Sequence, residues 1–171
     1  MKTSATFLAM LLLTLGALPA AGAPAQGPHW LPWNAGLQQA VTRHRPILVD
    51  VYTDWCGWCK RMDRDVYARA EIRDFLAQRF VTVKLDAESS EPATYEGREQ
   101  DGRALAARFR VSGFPTTIFL RENGEHLVNV PGYVPAERFM LLLRYVGDGH
   151  LERGESFEAF VRDAEAAPKP R

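Results

Sequence analysis

Residues 53–60 read TDWCGWCK and hold both cysteines of the 171-residue chain. Two thiols two residues apart can be a redox couple, half of a metal site or a covalent staple, and their surroundings choose between these. As a staple the pair closes too short a loop to restrict the unfolded chain much. Zinc needs four ligands and CxxC supplies two. His29, His44, His126 and His150 are scattered with no paired spacing, so no metal and no other cofactor is expected. Directly before the pair, residues 47–52 (ILVDVY) form a β-branched run that reads as a buried strand. Directly after it, residues 59–67 read as helix.

Outward from this stretch, the composition is that of an ordinary globular chain, with 46% apolar and 25% charged residues. Net charge is zero and no basic stripe is visible, so nucleic acid is not an expected partner. Met1 and Lys2 give a positive start. Residues 5–18 (ATFLAMLLLTLGAL) form an apolar run too short to span a bilayer comfortably, with an uncleaved membrane anchor as the other reading. Small residues follow in PAAGAPAQ, residues 19–26. This is the build of a cleavable secretory signal peptide, with the cut expected after Ala25. The remaining chain is then exported, to a periplasm or another oxidising space.

The periodicity predicts further elements. Asn34 is expected to cap a helix whose inner face is Leu37, Val41 and His44. Helical spacing continues through Ile72, Phe75 and Leu76, and residues 80–85 (FVTVKL) form a second strand, completing a βαβ unit. Residues 87–101 are polar and read as an exposed loop. A short helix over 103–109 precedes a strand over 116–121, a turn at Asn123 and Gly124, and a strand over 126–130. Phe139, Leu142, Leu143 and Val146 mark an amphipathic helix. Ser156 caps a last helix bearing Phe157, Phe160, Val161 and Ala164 on one face. The expected architecture is α/β, a mixed sheet of four or five strands with helices on both faces and an extra C-terminal helix.

Over residues 33–147 the chain resembles the thioredoxin-fold family. Residues 55–60 match the family's WCxxCK motif, Asp50 stands where its buried acid stands, and Lys84 where that acid's lysine neighbour stands. Residues 113–116 (GFPT) match its cis-proline loop, and Gly132 the glycine after the last strand. The chain departs from plain thioredoxin in the Gly57-Trp58 insert, the longer stretch 87–101 and the tail helix. These changes make it similar to exported thioredoxin-related proteins of the SoxW type. The resemblance implies a redox disulfide between Cys56 and Cys59, a cis Pro115, and a substrate surface of Trp55, Gly57, Trp58, Phe114, Pro115 and Gly132. It implies three segments: signal peptide 1–25, thioredoxin-like domain 26–148, and C-terminal helix with tail 149–171. The partners it implies are proteins carrying disulfides or dithiols, and a membrane electron donor of the DsbD or CcdA type. A monomer is expected.

The chemistry follows from placement. A sulfur between a strand end and a helix start meets unpaired N–H groups and the positive end of the helix dipole. Cys56 is therefore expected at the rim as an accessible nucleophilic thiolate, with Cys59 beneath it as the resolving thiol. Asp50, inside an apolar strand, is the expected proton acceptor, tuned by Lys84. Trp58 carries no charge to stabilise a thiolate, which argues for the reducing direction. An oxidase or isomerase, and a binding protein or chaperone whose thiols are dispensable, are the other readings.

Overall fold

The structure, a computed structural model, describes residues 27–166. The expected signal peptide, with its cut after Ala25, and the tail residues 167–171 lie outside them. In chain order the elements are α1 (Trp33–Arg43), β1 (Ile47–Tyr52) and α2 (Gly57–Met62), which runs on into a π-helical turn (Asp63–Tyr67). Next come α3 (Ala70–Arg79), β2 (Val81–Asp86), a small hairpin of β3 (Ala93–Tyr95) and β4 (Arg98–Gln100), and α4 (Gly102–Arg108). The chain closes with β5 (Thr116–Leu120), β6 (His126–Pro131), α5 (Ala136–Gly147) and α6 (Phe157–Ala166).

One four-stranded sheet has the order β2-β1-β5-β6. β1 runs parallel to β2 and antiparallel to β5, and β6 is antiparallel to β5. The carboxyl ends of β1, β2 and β6 and the start of β5 therefore share one edge of the sheet. β1 is buried on both faces, as its continuous β-branched run requires. Ile47, Val49 and Val51 enter one apolar cluster with Val83, Ile118 and Leu120, while Leu48 enters a second with Phe119, Met62 and Tyr67.

Three expectations need correction. Asn34 does not cap α1, because Pro32 holds that position. Instead Asn34 Nδ2 donates to the Pro92 carbonyl at 3.0 Å and its Oδ1 accepts from the Thr94 N–H at 2.8 Å. The inner face of α1 is Trp33, Gly36 and Ala40, whereas Val41 is 56% exposed and His44 is exposed beyond the helix. The cause is close approach: a Cβ on Gly36 would lie 2.1 Å from Val83 Cγ2, so the backbone itself packs against β2. Residues 87–101 are not a plain exposed loop. They contain β3 and β4, with Ala93 and Tyr95 buried and the Trp33 indole N–H bonded to the Thr94 carbonyl at 2.9 Å. The hairpin is a separate two-stranded sheet, so the main sheet has four strands.

Before α1 the chain joins the edge of the sheet beside β2. Leu31 bridges to Val83 in parallel, with its N–H bonded to the Thr82 carbonyl and its carbonyl to the Lys84 N–H. At the other end Ser156 Oγ accepts from the Ala159 N–H as the cap of α6. Tyr145, Phe157 and Phe160 dock that helix onto α5.

Candidate active site

The site begins where β1 ends. Asp54 and Trp55 turn the chain, the Cys56 N–H returns to the Thr53 carbonyl at 3.1 Å, and α2 starts at Gly57. Cys56 is the residue that caps α2: its Sγ accepts the Cys59 backbone N–H at 3.0 Å. A side-chain acceptor at this position satisfies an otherwise orphaned donor. It also holds developing negative charge at the positive end of the helix. Cys56 and Cys59 are joined as a disulfide, with Cα atoms 5.3 Å apart.

The expected contrast between a rim thiol and a buried thiol is absent in this oxidised state. Cys56 is 4% exposed and Cys59 3%. The Cys56 sulfur lies against the first turn of α2, and the neighbouring tryptophans take the exposed positions. Trp55 is 68% and Trp58 54% exposed. Trp55 meets Phe114 edge-on at 5.9 Å and donates from its indole to Glu88 at 3.1 Å. Trp58 meets Tyr133 at 5.6 Å, and the Arg61 guanidinium lies 5.1 Å from the Trp58 ring and 5.2 Å from the Tyr133 ring.

The loop before β5 completes the rim. The Phe114–Pro115 peptide bond is cis. The Pro115 carbonyl accepts the Gly132 N–H at 2.8 Å, tying this loop to the end of β6. Gly132 has φ 83°, in the left-handed region where a side chain is strained. Gly57 is exposed, and a Cβ there would touch nothing.

A polar cluster joins β1, β2 and the turn after α2. Asp50 is 1% exposed and pairs in register with Lys84 across β1 and β2. Lys84 Nζ donates to Asp50 at 2.6 Å and to Asp63 at 2.7 Å, and the Tyr67 hydroxyl donates to Asp50 at 3.4 Å. Burial holds the Asp50 carboxyl above the ordinary carboxylate range, against the opposing pull of Lys84. Burial alone would lower Lys84, yet Asp50 and Asp63 together keep the ammonium above its usual value. Burial and the Asp50 charge push Tyr67 well up. The Lys84 ammonium also sits within 5.0 Å of Trp30 and 4.9 Å of Tyr52.

Asp50 and Lys84 are thus brought together, as are Trp55 with Phe114 and Pro115 with Gly132. Asp63, Tyr67, Arg61, Tyr133 and Glu88 were not singled out from sequence. Two of them carried a usable signal. Asp63 stands four residues after Cys59 and Arg61 three after Trp58, the spacings that share a helix face.

A disulfide capping a helix at the carboxyl end of the second of four strands, opposite a cis-proline loop, defines a thioredoxin fold with a CxxC site. A family model described as a thioredoxin-like domain matches residues 33–147, and the chain belongs to that family. Among its relatives is the thiol:disulfide interchange protein DsbD of Ralstonia nicotianae. The two are 38% identical over 112 residues, which is 65% of this chain and 17% of the relative. The disulfide bond reductase DsbH of Chlamydia pneumoniae is 28% identical over 107 residues, 62% of this chain and 63% of the relative. The chain therefore spans less than two thirds of either. A thioredoxin from Thermus thermophilus superposes with a TM-score of 0.61 at 27% identity, over 76% of this chain and 95% of that one. A thioredoxin-fold protein from Helicobacter pylori gives 0.60 at 21% identity, over 72% and 82%, a likeness of fold.

Proposed function

We propose that the protein is an exported, monomeric thiol:disulfide oxidoreductase that reduces disulfides in partner proteins. Residues 1–25 serve as signal peptide, 26–148 as the redox domain, and 149–171 as an appended helix and tail. The observation that carries the reading is Cys56 Sγ seated as helix cap on the Cys59 N–H, a position that favours thiolate.

In the reduced protein the Cys56 thiolate attacks one sulfur of a partner disulfide. That bond breaks, a mixed disulfide forms, and one partner thiol leaves with a proton. Cys59 then gives its proton to Asp50 and attacks Cys56 Sγ, releasing the second partner thiol. Two electrons have passed from the protein to the partner, and Cys56–Cys59 is a disulfide again. Asp50 suits the task because burial raises its proton affinity, and Lys84 holds its carboxylate in place. Trp55, Trp58, Phe114, Pro115, Gly57 and Gly132 form the surface on which the partner lies.

The reducing direction is supported by the neutral Trp58, which leaves the helix start as the main stabiliser of the thiolate, and by the relative named a disulfide bond reductase. Export is supported by residues 1–25. A reductase outside the cytoplasm needs electrons, and a membrane thiol carrier of the DsbD or CcdA type fits that need. Equilibration with glutathione buffers tests direction: the midpoint is expected between about −270 and −200 mV, and one near −120 mV would overturn it. Cys59→Ser is expected to hold partners as covalent adducts. Full cellular function in a Cys56→Ala, Cys59→Ala double variant would replace this reading with that of a binding protein.

A further inference from the structure

The rim around the disulfide is electrically lopsided, and the sheet order explains how. β2 and β6 are the two edge strands, and both deliver their carboxyl ends to the rim. Two residues beyond β2 stands Glu88, exposed and accepting from the Trp55 indole at 3.1 Å. Asp86 and exposed Asp54 both act on nearby Tyr52, raising its pKa after burial, so this edge gathers three carboxylates. The neighbouring cation, Lys84, is consumed by Asp50 and Asp63. Two residues beyond β6 stands Tyr133, which with Trp58 carries the Arg61 guanidinium. There Arg61 and Arg64 share the single carboxylate of Asp65, at 3.2 and 2.8 Å, which leaves an excess positive charge.

We propose that this rim reads the charge order of a partner segment. The segment is an extended stretch of a partner protein, with its reacting cysteine over the disulfide, a basic side chain toward Glu88 and an acidic one toward Arg61. The two edge strands are three strand spacings apart, roughly 14 Å, and an extended chain covers that in about four residues. With the disulfide at the end of β1, one strand spacing from β2 and two from β6, the complementary charges fall about one to three residues to either side of the cysteine. Exposed Trp55 and Trp58 bury the apolar parts of the segment between the charged ends. The inference rests on the oxidoreductase reading and names the partner chemistry of that same site.

The test uses the reduced full-length protein and two disulfide-linked peptide dimers. One peptide carries lysine two residues before its cysteine and aspartate two residues after; the other has the charges exchanged. Reduction consumes one protein dithiol and yields two peptide thiols, read by mass spectrometry after acid quench. One charge order is expected to react roughly fivefold faster, the scale of two partly exposed ion pairs, with the difference fading at about 0.5 M salt. In the Arg61→Glu, Glu88→Lys double variant the preference inverts. The rate ratio is read within each variant, so a general loss of reactivity cancels. Equal rates for both peptides, or a preference that survives the double variant, overturn the inference alone. No reduction of either peptide overturns the oxidoreductase reading, and this inference with it.

Discussion

The two faces of the sheet differ in kind. On the face packed by α1, α4 and the hairpin, alternate residues of three strands are hydrocarbon save one: Ile47, Val49 and Val51 on β1, Val81, Val83 and Leu85 on β2, Ile118 and Leu120 on β5, with Thr116 at the start of β5 donating its hydroxyl to the Gly113 carbonyl. On the face packed by α2, α3 and α5, the alternate positions of the same strands include Asp50, Lys84, Thr82 and Thr117 beside Leu48 and Phe119. The strand period of two assigns each residue to its face. One face thus supplies almost only apolar burial, and the other carries the charged and hydroxyl side chains. The lesson is that the redox site lies on the costlier face, where each charge requires a partner.

The largest effect is expected from moving a charge across the sheet. Val49→Asp places an unpaired carboxylate in the apolar face. It is expected to cost about 4 kcal/mol or more and to abolish the cooperative melt followed by circular dichroism. Asp50, one residue away, is tolerated because Lys84 and Tyr67 meet it.

Lys84→Met tests that dependence next. It strands Asp50 beside Asp63 with no cation between them, and the expected loss near neutral pH is about 3 kcal/mol. The sign with pH is definite. Asp50's folded pKa already lies above its unfolded value of 3.8 and rises further in the variant. Stability therefore falls as pH climbs from that unfolded value through the folded one, and the loss recovers on acidification. Denaturant titrations at pH 4 and pH 8 check this; an equal loss at both would mean that Asp50 is not the group involved.

Asp50→Asn acts in the opposite direction. The wild-type protein is penalised for ionising a buried carboxyl, a penalty that grows as pH rises past the unfolded value and stops at the folded one. Removing the charge is expected to raise the melting temperature at pH 8 and leave it nearly unchanged at pH 3, while Lys84 keeps Asp63. Release of trapped partner should slow, because Cys59 loses its proton acceptor. The smallest expected effect falls on the apolar face's border. Asn34→Ala removes two exposed hydrogen bonds to the hairpin, about 1 kcal/mol or less. It should appear as faster hydrogen exchange at the Thr94 amide, with little change in the global melt.

What could be read from sequence follows the same division. The helices over the polar face announce themselves through runs such as Phe139, Leu143 and Val146, because large side chains at helical spacing leave a periodic trace. α1 does not. It packs through Gly36 and Ala40, whose small size is the point of contact, so hydrophobicity pointed to Val41 instead. The hairpin within residues 87–101 is hidden for a related reason. Only Ala93 and Tyr95 are buried, and its anchors, Trp33 and Asn34, lie about sixty residues earlier. At the site, the family resemblance paired Asp50 with Lys84, but the exposure expected for Cys56 is not met: in the disulfide-bonded state it is 4% exposed.

The linear sequence by itself determined the local matters: a strand of β-branched residues, a helix start on a cysteine, two thiols one turn apart, and a turn at Gly124. Each depends on neighbours within a few residues, where backbone sterics and spacing suffice. Only the tertiary structure decided that Lys84 holds Asp50 and Asp63 together, that Arg61 rests on Trp58 and Tyr133, and that acidic and basic groups take opposite edges of the rim. Apart from Arg61 on Trp58, one helical turn away, those pairings join residues far apart in the chain, and sheet order and register brought them within reach.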